Sequence, residues 1–352
     1  MVMKRICITI TIIILFLLNI DCTSTEGIPE YVDGWKVIIG PPGNTYYRAP
    51  RPRPRSRSKP FSNRPKSKTK HDDPGRVERI RKNIEAHLSA YRDLFNFKNQ
   101  IARLGSVPKS SDGSFRFVVM GDNRSNSKVW ATIVKHINSL EKRPDFVINV
   151  GDIVASGVAD EFDGYYIKTL IDNTDIPYFV AIGNHDIGPE KIAREFRYLF
   201  GENSLNYYFD YGSVRFIIID NVTNLKPLSK TFEWLERVLA ETPKNFKKCV
   251  FAHKPLGTVK RWAFHALSRE YSTRFTEIME KYGVYHVFFG HIHGYSTESI
   301  DGTEYTVTGG GGAPLVMRYG PLGDVYHYII CDVKPDGRIT QRIVRFIRVE
   351  KK

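Results

Sequence analysis

Five short apolar runs in the middle of the chain stop in the same way. Residues 115–120 run into Gly121-Asp122, 146–150 into Gly151-Asp152, and 178–182 into Gly183-Asn184-His185-Asp186. Residues 249–252 run into His253, and 285–289 into Gly290-His291-Ile292-His293. Apolar runs of this length, rich in β-branched and aromatic residues, predict buried strands. Between them, apolar residues fall at helical spacing over 127–140, 160–171, 190–200, 231–241 and 273–282. Strand, helix and strand in alternation predict βαβ units. Beyond Gly201 the pattern becomes hairpin-like, with strands over 206–211 and 214–220 around Gly212. Further strands are predicted over 303–308, 325–333 and 339–347, the last two joined at Pro335-Asp336-Gly337. The sum is an α/β fold, a four-layer α/β/β/α sandwich with mixed sheets, over residues 112–349.

Three other stretches precede it. Val77, Ile80, Ile84, Leu88, Tyr91 and Phe95 recur at steps of three and four, which predicts one amphipathic helix over 76–105 packed on the domain. Residues 25–75 read as a Pro, Arg and Ser-rich linker that lacks the apolar content to fold. Between Arg48 and Lys82 there are 14 Lys or Arg against 3 acids, so a net +11 of the chain's +14 belongs there. The basic balance is therefore not a property of the catalytic region. It suits an anionic envelope polymer or membrane surface, or a solvated spacer, and no nucleic-acid motif accompanies it. Residues 1–24 carry Lys4 and Arg5 before an apolar run, 6–18, as in a signal peptide or a retained membrane anchor. Either reading exports the rest: secreted, periplasmic or membrane-anchored.

Chemistry enters at the strand ends. Buried carboxylates and imidazoles are costly unless paired or metal-bound, and a core has no reason to end five strands with them. No Cys-x-x-Cys pair exists among the 4 cysteines, which excludes a thiolate zinc site. In this order, Asp122, Gly-Asp at 151–152, Gly-Asn-His-Asp at 183–186, His253 and Gly-His-x-His at 290–293 resemble the five blocks of the calcineurin-like metallophosphoesterase superfamily. The resemblance implies hydrolysis of phosphate mono- or diesters at a binuclear metal centre. Asp152 would bridge two ions, Mn, Fe or Zn by donor type. Asp122 and His293 would hold one, and Asn184, His253 and His291 the other. His185 would serve as general acid, oriented by Asp186. His291 and His293 would share one side of an extended segment.

Two departures qualify this. Arg124 stands where the family's first block usually has an imidazole ligand, and is placed to meet phosphate oxygens. Ala155 stands where purple acid phosphatases carry a tyrosine ligand. The missing imidazole also supports an alternative: a phosphate- or polyanion-binding envelope protein on the same fold with little turnover.

Overall fold

The computed structural model describes residues 31–33, 35–40, 74–223, 230–320 and 323–348. Thirteen strands form two sheets among these residues. The first contains β1 (Tyr31–Val32), β2 (Trp35–Gly40), β3 (Phe115–Met120), β4 (Phe146–Asn149), β5 (Tyr178–Val180), β12 (Tyr326–Val333) and β13 (Ile339–Arg348). Its order is β1-β2-β13-β12-β3-β4-β5, with β3, β4 and β5 parallel and the rest antiparallel. The second contains β6 (Tyr207–Tyr211), β7 (Val214–Ile218), β8 (Lys247–Phe251), β9 (His286–Phe289), β10 (Tyr295–Ile300) and β11 (Thr303–Thr308). Its order is β10-β11-β9-β8-β7-β6, with β7, β8, β9 and β11 parallel.

The layering follows from side-chain alternation along doubly buried strands. Phe115, Phe117 and Val119 of β3 meet Phe216, Phe251 and Phe288 in a core between the sheets, while Val118 and Met120 turn to the outer side of the first sheet. There they meet Trp130 and Ile133 from the helix Ser127–Asn138. Ile217, Val250, Val287 and Phe289 turn outward from the second sheet against the helices Lys230–Ala240 and Arg269–Lys281. The result is the predicted four-layer α/β/β/α arrangement.

Two expectations for the leading segments change. The predicted helix over 76–105 is three: Pro74–Leu88, Arg92–Phe95 and Phe97–Gly105. Asn96 is extended at ψ 141° and caps the last of them, its side chain accepting from the Lys98 N–H, so the chain turns there while Leu88, Phe95 and Leu104 all stay buried. Gln100 of that helix accepts the Tyr178 N–H at 2.8 Å, and the Tyr207 hydroxyl bonds the Val180 N–H and carbonyl at 2.9 and 3.0 Å, so side chains cover the edge of β5. Second, residues within the predicted 25–75 linker form strands. β2 pairs with β13, burying Val37 and setting Trp35 edge-on to Tyr326. Averaging composition over 25–75 hides that short apolar run. The most basic part, 41–73, lies outside the described residues, as do 1–30.

Smaller differences are local. The helix predicted from 190 begins at Arg194, after a left-handed Lys191. The one predicted from 273 begins at Arg269, because Ser268 caps it. Residues 162–167 of the predicted 160–171 helix are a π-helical turn. β10 was not foreseen, since Tyr295–Ile300 has only two fully buried residues.

Candidate metal centre

The parallel strands β3, β4, β5, β8 and β9 deliver their C-terminal ends to one place, the edge where open α/β sheets hold ligands. Asp122, Asp152 and His291 each follow a glycine and each takes a left-handed backbone, at φ 57°, 55° and 67°. That turn is uncommon for residues other than glycine and is accepted at sites the surroundings over-determine. Glycines at these ends, Gly183 before Asn184 among them, matter because the strand ends nearly touch. A Cβ on Gly183 would collide with Asp152, and one on Gly290 with the Asp122 carboxylate. His291 is therefore not part of an extended segment, and His291 and His293 do not lie on one side of it. They diverge into two donor groups.

Asp152, His253 and His291 place one ligand atom each within 4.8 Å of one another, and so do Asp122, Asp152 and His293. Asp152 belongs to both. Asn184 joins the first group, its Oδ1 3.1 Å from His253 Nε2. The protonation pattern can be read from the outer bonds. His253 Nδ1 donates to the Val150 carbonyl at 2.8 Å and His293 Nδ1 to the Pro314 carbonyl at 2.7 Å. In each neutral ring Nε2 then carries the lone pair. His253 Nε2 faces Asp152 Oδ1 at 3.3 Å, and His293 Nε2 faces Asp122 Oδ1 at 3.5 Å. Acceptor faces acceptor in both cases. Asp122 Oδ1 is buried without a hydrogen-bond partner, although Oδ2 accepts the His291 N–H at 2.9 Å. A cation is what such a set lacks, and the residues fit one in each group.

Without a metal, a proton is the cation that Asp122 would take up. Burial, then the Asp152 charge, pushes the Asp122 carboxyl well above its usual range. Burial, then His253, pushes His291 down to about 2, and burial pushes His293 down to about 4. The imidazoles stay neutral and able to donate a lone pair.

His185 and Asp186 are arranged differently from expectation. The His185 ring is not oriented by Asp186. Its Nδ1 donates to the Ala155 carbonyl at 2.6 Å, and its backbone N–H to Asp152 Oδ1 at 2.8 Å. Asp186 is fully buried and accepts the backbone N–H groups of Asp152, Ile153, Val154 and Gly183 at 2.7 to 3.2 Å. It builds the turn that carries Asp152, and an acceptor beside left-handed Asp152 satisfies N–H groups that no strand can take. Arg124 Nε stands 3.3 Å from Asp152 Oδ2, so the guanidinium meets a carboxylate of the centre.

Some supporting residues were missed. Asn221 Oδ1 accepts the N–H groups of His253 and Lys254. Its signal was present, since Asp220-Asn221 ends the apolar run of β7 as a sixth polar strand end. Asn149 Nδ2 donates to Asn123 Oδ1 at 2.7 Å, joining the ends of β4 and β3. Tyr165, on the π-helical turn, donates to the Asn123 carbonyl. His265, outside every block, lies 5.7 Å from the His291 ring at the exposed rim. His286 and His327 are packing histidines, held by Thr306 with Gln341 and by Thr308 with the Val325 carbonyl.

A fold of this topology with donors at these strand ends is that of the metallophosphoesterases. The chain belongs to the calcineurin-like phosphoesterase family, whose model matches residues 115–295. It is 32% identical over 178 residues to a "Probable glycerophosphodiester phosphodiesterase" of Arcobacter nitrofigilis, covering 47% of this chain and 62% of that protein. It is 26% identical over 217 residues to the "Probable inactive purple acid phosphatase 27" of Arabidopsis thaliana, covering 49% and 36%. The chain thus spans less than two thirds of either relative. Among solved structures, a purple acid phosphatase from yellow lupin superposes with a TM-score of 0.54 at 19% identity, covering 67% of this chain and 54% of that one, which is a likeness of fold.

Proposed function

We propose that this chain hydrolyses phosphate mono- or diesters with two metal ions held side by side. The observation that carries the reading is the buried, unpartnered Asp122 Oδ1 facing the lone pair of His293, in a donor group that shares Asp152 with His253 and His291. Asp122, Asp152 and His293 would hold one ion, and Asp152, Asn184, His253 and His291 the other. Imidazole, amide and carboxylate donors suit Mn, Fe or Zn. When bound, such a pair polarises the phosphoryl oxygen and makes water nucleophilic near neutral pH.

The chain's own groups supply the rest. The Ala155 carbonyl fixes the His185 ring, which holds a proton on Nε2 in its cationic form, to give to the departing alkoxide. Asp186 fixes the backbone at Asp152, and Asn221 fixes it at His253. The name of the Arcobacter relative supports including diesters among the substrates. Residues 1–24 support export, and the charge of 41–73 supports contact with an anionic envelope polymer or membrane surface.

The test is hydrolysis of 4-nitrophenyl phosphate and bis(4-nitrophenyl) phosphate by metal-stripped protein reloaded with Mn, Zn or Fe. Turnover that follows metal loading and disappears in Asp152→Asn supports the reading. Stoichiometric metal uptake and phosphate binding without turnover on either ester overturns it in favour of a phosphate-binding protein, which Arg124 in place of an imidazole ligand supports.

A further inference from the structure

We infer that Arg124 is a built-in cation that competes with metal for the Asp152 carboxylate, so that the two donor groups bind metal unequally until an oxyanion draws the guanidinium away. The inference rests on the two-ion reading above and deepens it. By ligand charge alone, the group of Asp122, Asp152 and His293 should be the stronger, with two carboxylates and one imidazole. The other group has one carboxylate, two imidazoles and an amide oxygen.

Arg124 reverses that order. Its backbone N–H bonds the Asp152 carbonyl at 3.3 Å, so the side chain begins where the ends of β3 and β4 meet. From there Nε reaches Asp152 Oδ2 at 3.3 Å, and Nη1 reaches Ser125 Oγ at 3.2 Å. The side chain is only 15% exposed and Asp152 is buried, so solvent screens the pair weakly. The other Asp152 oxygen already accepts the His185 N–H and faces His253. Oδ2 is thus the oxygen left for the Asp122 group, and the guanidinium occupies it. A guanidinium has donors and no lone pair, so it contributes a repelling charge there and no ligand.

The same property gives a coupling. A guanidinium matches the oxygens of a phosphate at least as well as those of a carboxylate. Phosphate at the centre offers Arg124 a second anion and frees Asp152 Oδ2. Phosphate and the weaker-bound ion should therefore each tighten the other by the same factor.

The experiment is calorimetric titration of the metal-stripped protein with Mn²⁺ alone, with and without saturating inorganic phosphate. Wild type should show two classes of site, the weaker tightened at least about tenfold by phosphate. In Arg124→Gln that class should already be at least about tenfold tighter without phosphate, because an opposing charge has been removed. Arg124→Lys, which keeps the charge, should retain the wild-type gap. Arg124→Met, read with a thermal melt, repeats the test if the glutamine variant folds poorly. A weaker class that stays within about twofold of wild type, or weakens, in the folded Gln or Met variant overturns the role of the arginine. Wild type that takes up fewer than two Mn²⁺ with phosphate present overturns the two-ion reading itself, a separate result.

Discussion

His185 is held by Ala155, not by its sequence neighbour Asp186: the ring Nδ1 donates to the Ala155 carbonyl at 2.6 Å. A carbonyl partner on Nδ1 fixes the ring and leaves Nε2 as the atom free to carry a proton toward the leaving group. His185→Ala should lower kcat by about 10²-fold or more on alkyl phosphate esters and much less on 4-nitrophenyl esters, whose leaving group needs no proton. Equal losses on both would remove His185 from the proton-transfer step.

Asp186 should behave as a builder of the centre. Its two oxygens accept four backbone N–H groups around Asp152, and burial followed by the Asp152 charge pushes its carboxyl up to about 7. The second contribution falls away once a cation shares Asp152. Asp186→Asn turns one acceptor into a donor facing those N–H groups, and should cost about 1–3 kcal/mol in urea denaturation together with metal affinity. A variant with unchanged stability and metal content, but altered leaving-group dependence, would return Asp186 to the chemistry.

What the sequence made legible follows from one property. Four of the five strand ends that carry ligands, all but that of β8, are punctuated by glycine, because Gly183 and Gly290 must let neighbouring strands pass within contact of Asp152 and Asp122. The donors and the layers could therefore be read. The partners of the donors could not, since a bond such as His185 to the Ala155 carbonyl, or His253 to Val150, is made to backbone and leaves no side-chain signature. The break at Asn96 was hidden for a related reason: the buried positions on both sides of it keep helical spacing while the chain turns.

Metal removal should report on folding as well as on rate. Ligands that bind only the folded state stabilise it by mass action. Chelation should lower the melting temperature, and reloading should restore it. Asp152→Asn should lose at least about 100-fold in metal affinity, since even residues one step removed from a metal cost 10 to 100-fold. A melting temperature indifferent to chelator in wild type would argue that no metal is held.

A pH effect is expected from histidines away from the centre. His286 bridges the sheets, bonded to Thr306 of β11 and Gln341 of β13, and burial pushes it down to about 3. Its pKa in the unfolded chain is about 6.5, so between these values the unfolded state binds the extra proton. The stabilisation is fully present above about pH 6.5 and is lost as pH falls toward 3, by about 1.4 kcal/mol per unit. In metal-stripped protein, His286→Gln should flatten the fall in stability between pH 6.5 and 4, measured by urea midpoints. An unchanged slope would mean that His286 accepts a proton in the folded state.

The pairing of β2 with β13 sets a distance. Only residues 25–30 separate the first 24 residues from β1, and six residues span at most about 20 Å. The first 24 residues and the sheet that carries Asp122 and Asp152 are therefore close neighbours along the chain. The basic stretch, 41–73, leaves the domain at the end of β2 and re-enters it at Pro74. Both of its ends are therefore fixed by described elements, β2 before it and the helix Pro74–Leu88 after it.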